Sequence, residues 1–266
     1  MTGNTNGNAA PFGVMETAFR EKRAAGRKLL VPYITGGLPG WQDAVRAAAA
    51  AGADAIEIGI PFSDPVMDGP IIQQASQAAL EAGATPVSIL HDARSLDVSI
   101  PLAVMTYYNT VHHAGHERFA AQLAAAGIVA AIVPDLPLEE AGPWCLAADA
   151  AGVETVMLAA PTAPDDRLPR IAARARGFVY SVGLLGVTGE RDTLAPTATA
   201  LARRLKAITD VPVLVGVGVS NAAQAHEACQ VADGVVMGAS VVRRLLEGGP
   251  DAVGEFVGDV RHAIQY

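Results

Sequence analysis

Glu57 stands inside an otherwise apolar run, Ala55-Ile56-Glu57-Ile58-Gly59-Ile60, and two more carboxylates, Asp64 and Asp68, follow in the segment Pro61-Phe62-Ser63-Asp64-Pro65-Val66-Met67-Asp68-Gly69-Pro70. A carboxylate in such a run is costly to ionise unless something pairs with it. Desolvation raises its pKa, which suits a group that must both give and accept a proton. A buried Glu satisfied by a polar group of a neighbouring strand is the structural alternative. Asp64 fits turn chemistry equally well. Asp68 can reach back over the end of the strand that carries Glu57.

Two glycine turns each precede a helical pattern: Gly216-Val217-Gly218-Val219-Ser220 and Gly238-Ala239-Ser240. Glycine lets backbone approach a ligand, and the N–H groups of a helix start bind anions, so these turns predict a phosphate site. Gly183, Gly186 and Gly189 punctuate the segment 183–191, which reads as a mobile lid or as an ordinary crossover. His112, His113 and His116 raise the idea of a metal site. With only Glu117 beside them, they read instead as a solvated helix start. The three lysines, Lys22, Lys28 and Lys206, fall outside the strand ends where a Schiff-base amine would be needed, which disfavours that chemistry and pyridoxal phosphate with it. Carboxylate acid–base catalysis remains, with no metal and no cofactor.

The elements that must position these groups alternate along the chain. Short β-branched runs at 29–35, 54–60, 101–107, 128–134, 154–160, 177–182, 211–217 and 233–238 read as strands. Helical patterns follow them at 40–51, 69–83 with 86–96, 115–126, 138–151, 164–175, 194–208, 220–230 and 239–264. Strands apolar on both faces belong to a parallel sheet covered by helices. Eight such units in 266 residues predict an α/β fold, a single-domain (β/α)8 TIM barrel, with a doubly wound open sheet as the competitor. An extra N-terminal helix at 14–25 precedes the first strand. Residues 1–13 read as a flexible tail and 14–266 as the catalytic barrel. In this fold the loops after the strands build the active site, and phosphate sits between the loops after strands seven and eight.

Composition narrows the setting. The chain has 19 Lys+Arg against 27 Asp+Glu, a net charge of −8, and 51% hydrophobic residues. That excludes bulk disorder and argues against a nucleic-acid partner. The N-terminal residues do not read as a signal peptide, and no apolar run is long enough to span a membrane. Two cysteines, Cys145 and Cys229, point to a reducing, cytoplasmic compartment rather than a disulfide framework.

The stretch Glu57 to Pro70 resembles the signature of the tryptophan synthase alpha subunit family. Val31-Pro32-Tyr33-Ile34-Thr35-Gly36-Gly37, Tyr107-Tyr108-Asn109 and Gly186-Val187-Thr188-Gly189 agree with it. The resemblance runs from about residue 14 to 262 and implies a barrel that cleaves indole-3-glycerol phosphate, a phosphate ester, to indole and glyceraldehyde 3-phosphate. It implies Glu57 as general acid/base and Asp68 as the carboxylate assisting at the indole nitrogen. By the same resemblance Tyr33, Tyr107 and Tyr180 are substrate-binding positions, and Asp135 is a buried polar position near the site. Thr188 becomes a lid residue over Asp68. Gly189, Val217, Gly218, Gly238, Ala239 and Ser240 fall at the phosphate, and Asp64 faces a tryptophan synthase beta subunit. The chain departs from the family pattern at Leu184-Leu185 in the lid, and at Gly238-Ala239-Ser240, where the hydroxyl comes one residue late. A stand-alone lyase releasing indole, or a weakly active barrel that mainly activates a beta subunit, are the alternative functions.

Overall fold

The apolar β-branched runs pair edge to edge in chain order until the last meets the first. The computed structural model describes residues 12–183, 195–216 and 218–265. In it, β1 (Leu29–Thr35), β2 (Ile56–Gly59), β3 (Leu102–Met105), β4 (Ala130–Ile132), β5 (Glu154–Ala159), β6 (Val179–Val182), β7 (Val213–Gly216) and β8 (Gly234–Met237) form a closed parallel barrel. All seven residues of β1 are buried, as expected of a strand covered on both faces. Among the described residues no helix is long and apolar enough to cross a membrane.

The helices are α1 (Val14–Ala24), α2 (Trp41–Ala50), α3 (Pro70–Glu81), α4 (Pro86–Ala93), α5 (Tyr108–Ala114), α6 (His116–Ala125), α7 (Gly142–Ala150), α8 (Arg167–Arg174), α9 (Pro196–Lys206), α10 (Ala222–Cys229) and α11 (Ala239–Gln265). Their starts are chemically marked. Pro70 opens α3, Thr85 and Ser88 form a reciprocal cap on α4, and the Asn221 side chain accepts from Gln224 N at the start of α10. Four helices differ from the sequence pattern. α5 is an additional helix, parted from α6 by Gly115 at φ 86°. α7 and α8 begin later than the apolar pattern suggests, because turns precede them, with Glu140 N donating to Pro137 O and Arg167 N to Pro164 O. α11 is kinked at Gly249 (φ 72°), followed by Pro250, which cannot donate to the preceding turn.

The N-terminal rim of the barrel is a stability device. α1 lies there without a side-chain cap of its own. Glu154, at the start of β5, accepts from the N–H groups of Met15 (2.7 Å) and Glu16 (2.9 Å) in its place. Asp54 is fully buried and receives Arg261 (2.8 Å), Arg27 (2.8 Å), Lys22 (3.0 Å) and Leu30 N (2.9 Å). Lys206 pairs with Asp233 at 2.9 Å, and Lys28 donates to Ala232 O at 2.9 Å. All three lysines thus serve the rim opposite the one where the sequence places the chemistry.

Candidate active site

The register of β1 on β2 sets Tyr33 directly beside Glu57. Both side chains line a cavity at the C-terminal mouth of the barrel, with Asp68, Tyr180, Gly218, Gly238 and Ala239. The cavity wall is otherwise mostly apolar: Ile72, Met105, Ile132, Leu158, Val182 and Val236 contribute. Two glycines make room for the tyrosines. A methyl group at Gly59 would collide with the Tyr33 hydroxyl, and one at Gly216 would collide with the Tyr180 ring. Glycine at the strand end next to each tyrosine therefore lets that ring lie across the barrel mouth.

Glu57 is 3% exposed, and its Oε2 has no hydrogen-bond partner among the described residues. Burial, and then the charge of Asp68, push its pKa up to about 8. Asp68 is also raised by burial, to about 6, but the Tyr107 hydroxyl bonds to it and holds it down. At neutral pH the pair is accordingly one protonated acid and one carboxylate. Environments that drive two neighbouring groups apart in this way assign an acid and a base. Burial likewise pushes the Tyr33 and Tyr180 phenols well above their ordinary range, so both stay neutral donors.

Tyr107 works from behind the wall. Its ring stacks on Phe62 with centroids 5.1 Å apart, and its hydroxyl accepts from Met67 N at 3.0 Å. It pins the loop after β2 from both sides and does not itself line the cavity. The expectation that Asp135 is buried near the site is corrected. Asp135 is exposed and accepts from Tyr108 N at 2.8 Å, so its acceptor serves the first turn of α5. Ser240 also lies off the cavity. It is the second residue of α11, buried, and its Oγ has no partner among the described residues. Ala239 faces the cavity instead, at a helix start where first-turn N–H groups lack intrahelical acceptors. Gly218 has φ 93°, a left-handed conformation that a side chain resists. Asp64 is exposed on the loop after β2 and accepts from Ser63 Oγ at 2.6 Å.

Val217, Thr188, Gly189 and the rest of the expected lid from 184, Leu184-Leu185 included, lie outside the described residues, as do residues 1–11 of the expected tail. The histidines are divided between two helices. His116 stacks on Tyr108, whose hydroxyl is 3.0 Å from its Nε2. Among the described residues no group of three or more His, Cys, Asp or Glu is placed to hold a metal. Sequence reasoning passed over the apolar wall, Met67 and Ser220. Alternation along each strand could have found the wall, but it cannot separate a cavity lining from ordinary barrel core.

A family profile described as tryptophan synthase alpha chain matches residues 19–256. The tryptophan synthase alpha chain of Thermobifida fusca is 45% identical over 245 residues, covering 90% of each chain. That of a Picosynechococcus species is 41% identical over 256 residues, covering 92% of this chain and 97% of the relative. A solved structure of Mycobacterium tuberculosis tryptophan synthase superposes with a TM-score of 0.90 at 36% identity, covering 96% of this chain and all of that one.

Proposed function

The chain belongs to the tryptophan synthase alpha chain family, lyases of tryptophan synthesis, and we propose from its site that it splits indole-3-glycerol phosphate into indole and glyceraldehyde 3-phosphate. One observation carries this reading: a buried Glu57 that holds its proton to about pH 8 stands beside an Asp68 that releases its proton near pH 6.

The bond to be broken joins indole C3 to a carbon bearing a hydroxyl. Direct cleavage would expel a poor carbanion. Protonated Glu57 delivers its proton to C3, which turns the ring into an electron sink. Positive charge develops at the ring nitrogen, and the Asp68 carboxylate accepts a hydrogen bond from its N–H. The Glu57 carboxylate then removes the hydroxyl proton. The C–C electrons return to the ring, and an aldehyde and neutral indole result, with Glu57 protonated again. A low-dielectric wall strengthens both interactions. Tyr33 and Tyr180 bound the ring site, and backbone N–H groups at Gly218, Gly238 and Ala239 hold the phosphate. Val217, Thr188 and Gly189 complete the phosphate site and the lid in this proposal.

A beta subunit is the proposed partner, met by the exposed loop that carries Asp64. The family match favours neither a stand-alone lyase nor a mere activator. Incubating the purified chain with indole-3-glycerol phosphate, with and without a beta subunit, and measuring indole and glyceraldehyde 3-phosphate tests the reading. Equimolar products, abolished in Glu57→Gln, are expected. Substrate left intact under both conditions would overturn it.

A further inference from the structure

The reaction proposed above asks Asp68 to hold its carboxylate against a ring N–H, yet Asp68 rides on a loop rather than on a strand. A site group must stay within about 0.5 Å of its productive position, so something has to fix this loop. The start of α3, two residues on, supplies little by itself. Gly69, its N-cap, has no side chain to cap it with, and Pro70 has no N–H to donate. Gln73 fills the gap. Its backbone N–H donates to Gly69 O at 2.9 Å, and its side chain turns back to donate from Nε2 to Asp68 O at 2.7 Å.

Asp68 is thereby tied on two sides. The Tyr107 hydroxyl accepts from Met67 N at 3.0 Å and bonds to the Asp68 carboxylate, while Gln73 holds the carbonyl that follows. The two ties lie in different surroundings. Asp68 is buried at the cavity. Gln73 is exposed, and it borders a shallow groove on the outer face of the same loop with Phe62, Ser63, Pro65 and Pro70. An exposed side chain gives up rotamer freedom to hold such a bond, so the bond adds little to stability. What it fixes is the position of the carbonyl, and with it the reach of the carboxylate to Tyr107. The other titratable groups in the field of Asp68 among the described residues, Glu57, Tyr33 and Tyr180, line the cavity from β2, β1 and β6. α3 itself brings no charge to its first turn.

We propose that Gln73 is a positioning residue for the cleavage reaction: from outside the cavity, through Asp68 O, it holds the Asp68 carboxylate on the Tyr107 hydroxyl and in line with the ring N–H of the substrate. The inference rests on the reaction proposed above and adds to it a residue that touches neither substrate nor reacting atoms. Without the side-chain donor, the Asp68 carbonyl turns to water and the segment 67–69 gains freedom. The bond between Tyr107 and Asp68 then weakens, the carboxylate loses the contact that favours its ionised form, and Asp68 takes up a proton at higher pH. The phosphate end of the site, on the loops after β7 and β8, is left as it was, so the loss falls on kcat rather than on KM.

Gln73→Met keeps the length of the side chain and removes the donor. In steady-state kinetics on indole-3-glycerol phosphate, kcat should fall roughly tenfold with KM changed by less than about twofold, and the acid limb of the pH profile should move to higher pH. The urea midpoint should stay where it is, as for most exposed positions. In a Tyr107→Phe background the same substitution should cost little more, because the contact that it protects is already gone. The titration of Asp68 is read without substrate. The intact chain is labelled with ¹³C at the aspartate carboxyls, and the Asp68 signal, assigned by its loss in Asp68→Asn, should titrate at higher pH in Gln73→Met than in the parent. An Asp68 titration that is the same in both chains overturns the proposal, as does an equal loss of kcat with and without the Tyr107 hydroxyl. A shifted titration in a chain that leaves the substrate intact would instead refute the proposed reaction and leave the hold of Gln73 on Asp68 standing.

Discussion

Replacing Glu57 by Gln should stabilise the fold at alkaline pH while it destroys the activity. In the folded chain Glu57 keeps its proton until about pH 8, against an ordinary value of 4.5. Between those values the folded state binds more protons than the unfolded state, so stability falls as pH rises through the window. The gap is about 3.5 units, and each unit is worth about 1.4 kcal/mol. The full loss by pH 8 is therefore about 5 kcal/mol, a ceiling, since part of the shift depends on the ionised state of Asp68. Gln does not titrate. The stability advantage of Glu57→Gln over the parent should thus be smallest near pH 5, grow steadily to pH 8 and level off above it. Urea unfolding of both proteins from pH 5 to 9 measures this, and turnover should fall roughly 10²- to 10⁴-fold in the same variant. A stability difference that does not change with pH would show that Glu57 does not titrate in this window, and the acid role would lose its physical basis.

Activity that requires Asp68 ionised and Glu57 protonated should rise through about pH 6 and fall through about pH 8. Tyr107→Phe removes the hydroxyl that holds Asp68 down, so the acid limb of the kcat/KM profile should move to higher pH and the bell should narrow; an unmoved limb refutes the role given to Tyr107. Gly218→Val places a β-branched residue at φ 93° and crowds the cavity, so steady-state kinetics should show a raised KM for the phosphate ester. Glu154→Ala removes the acceptor for two N–H groups of α1 and should cost about 2–4 kcal/mol in urea unfolding with KM unchanged. An unaltered midpoint would show that α1 needs no such cap.

The barrel was legible because its strands are buried on both faces and so lack the alternation of a half-exposed sheet. Glu57 was legible for a related reason: a lone charge stands out in such a run. Asp68 and the glycine turns could be placed once the barrel told which strand ends matter. α5 was not legible, because its break from α6 rests on the backbone of Gly115, and a glycine there fits a loop just as well. Tyr107 was expected to touch substrate, but the hydrogen bonds of its hydroxyl, to Asp68 and from Met67 N, depend on how the loop after β2 folds back. Asp135 misled for a similar reason. Polar character at a strand end says nothing about whether the side chain turns inward or serves the next helix.

The two ends of the barrel treat charge in opposite ways, and this opposition is what makes the site workable. At the N-terminal rim, Asp54 and Asp233 are buried among Lys and Arg partners that bond to them directly. At the mouth, Glu57 and Asp68 are buried with no cation paired to them among the described residues; Glu57 keeps its proton to about pH 8, and Asp68 releases its own near pH 6. Exchanging these arrangements would ruin both: a paired Glu57 could not protonate carbon near pH 7, and an unpaired Asp54 would destabilise the strand ends that α1 and α11 cover. Strand position then divides the labour at the mouth. Glu57 is fixed by register beside Tyr33 and is buried. Asp68 rides on a loop where one phenol, Tyr107, tips it toward the carboxylate form. The difference between acid and hydrogen-bond acceptor arises mainly from depth, from that single hydroxyl and from the charge of Asp68 acting on Glu57, rather than from the small intrinsic difference between Glu and Asp.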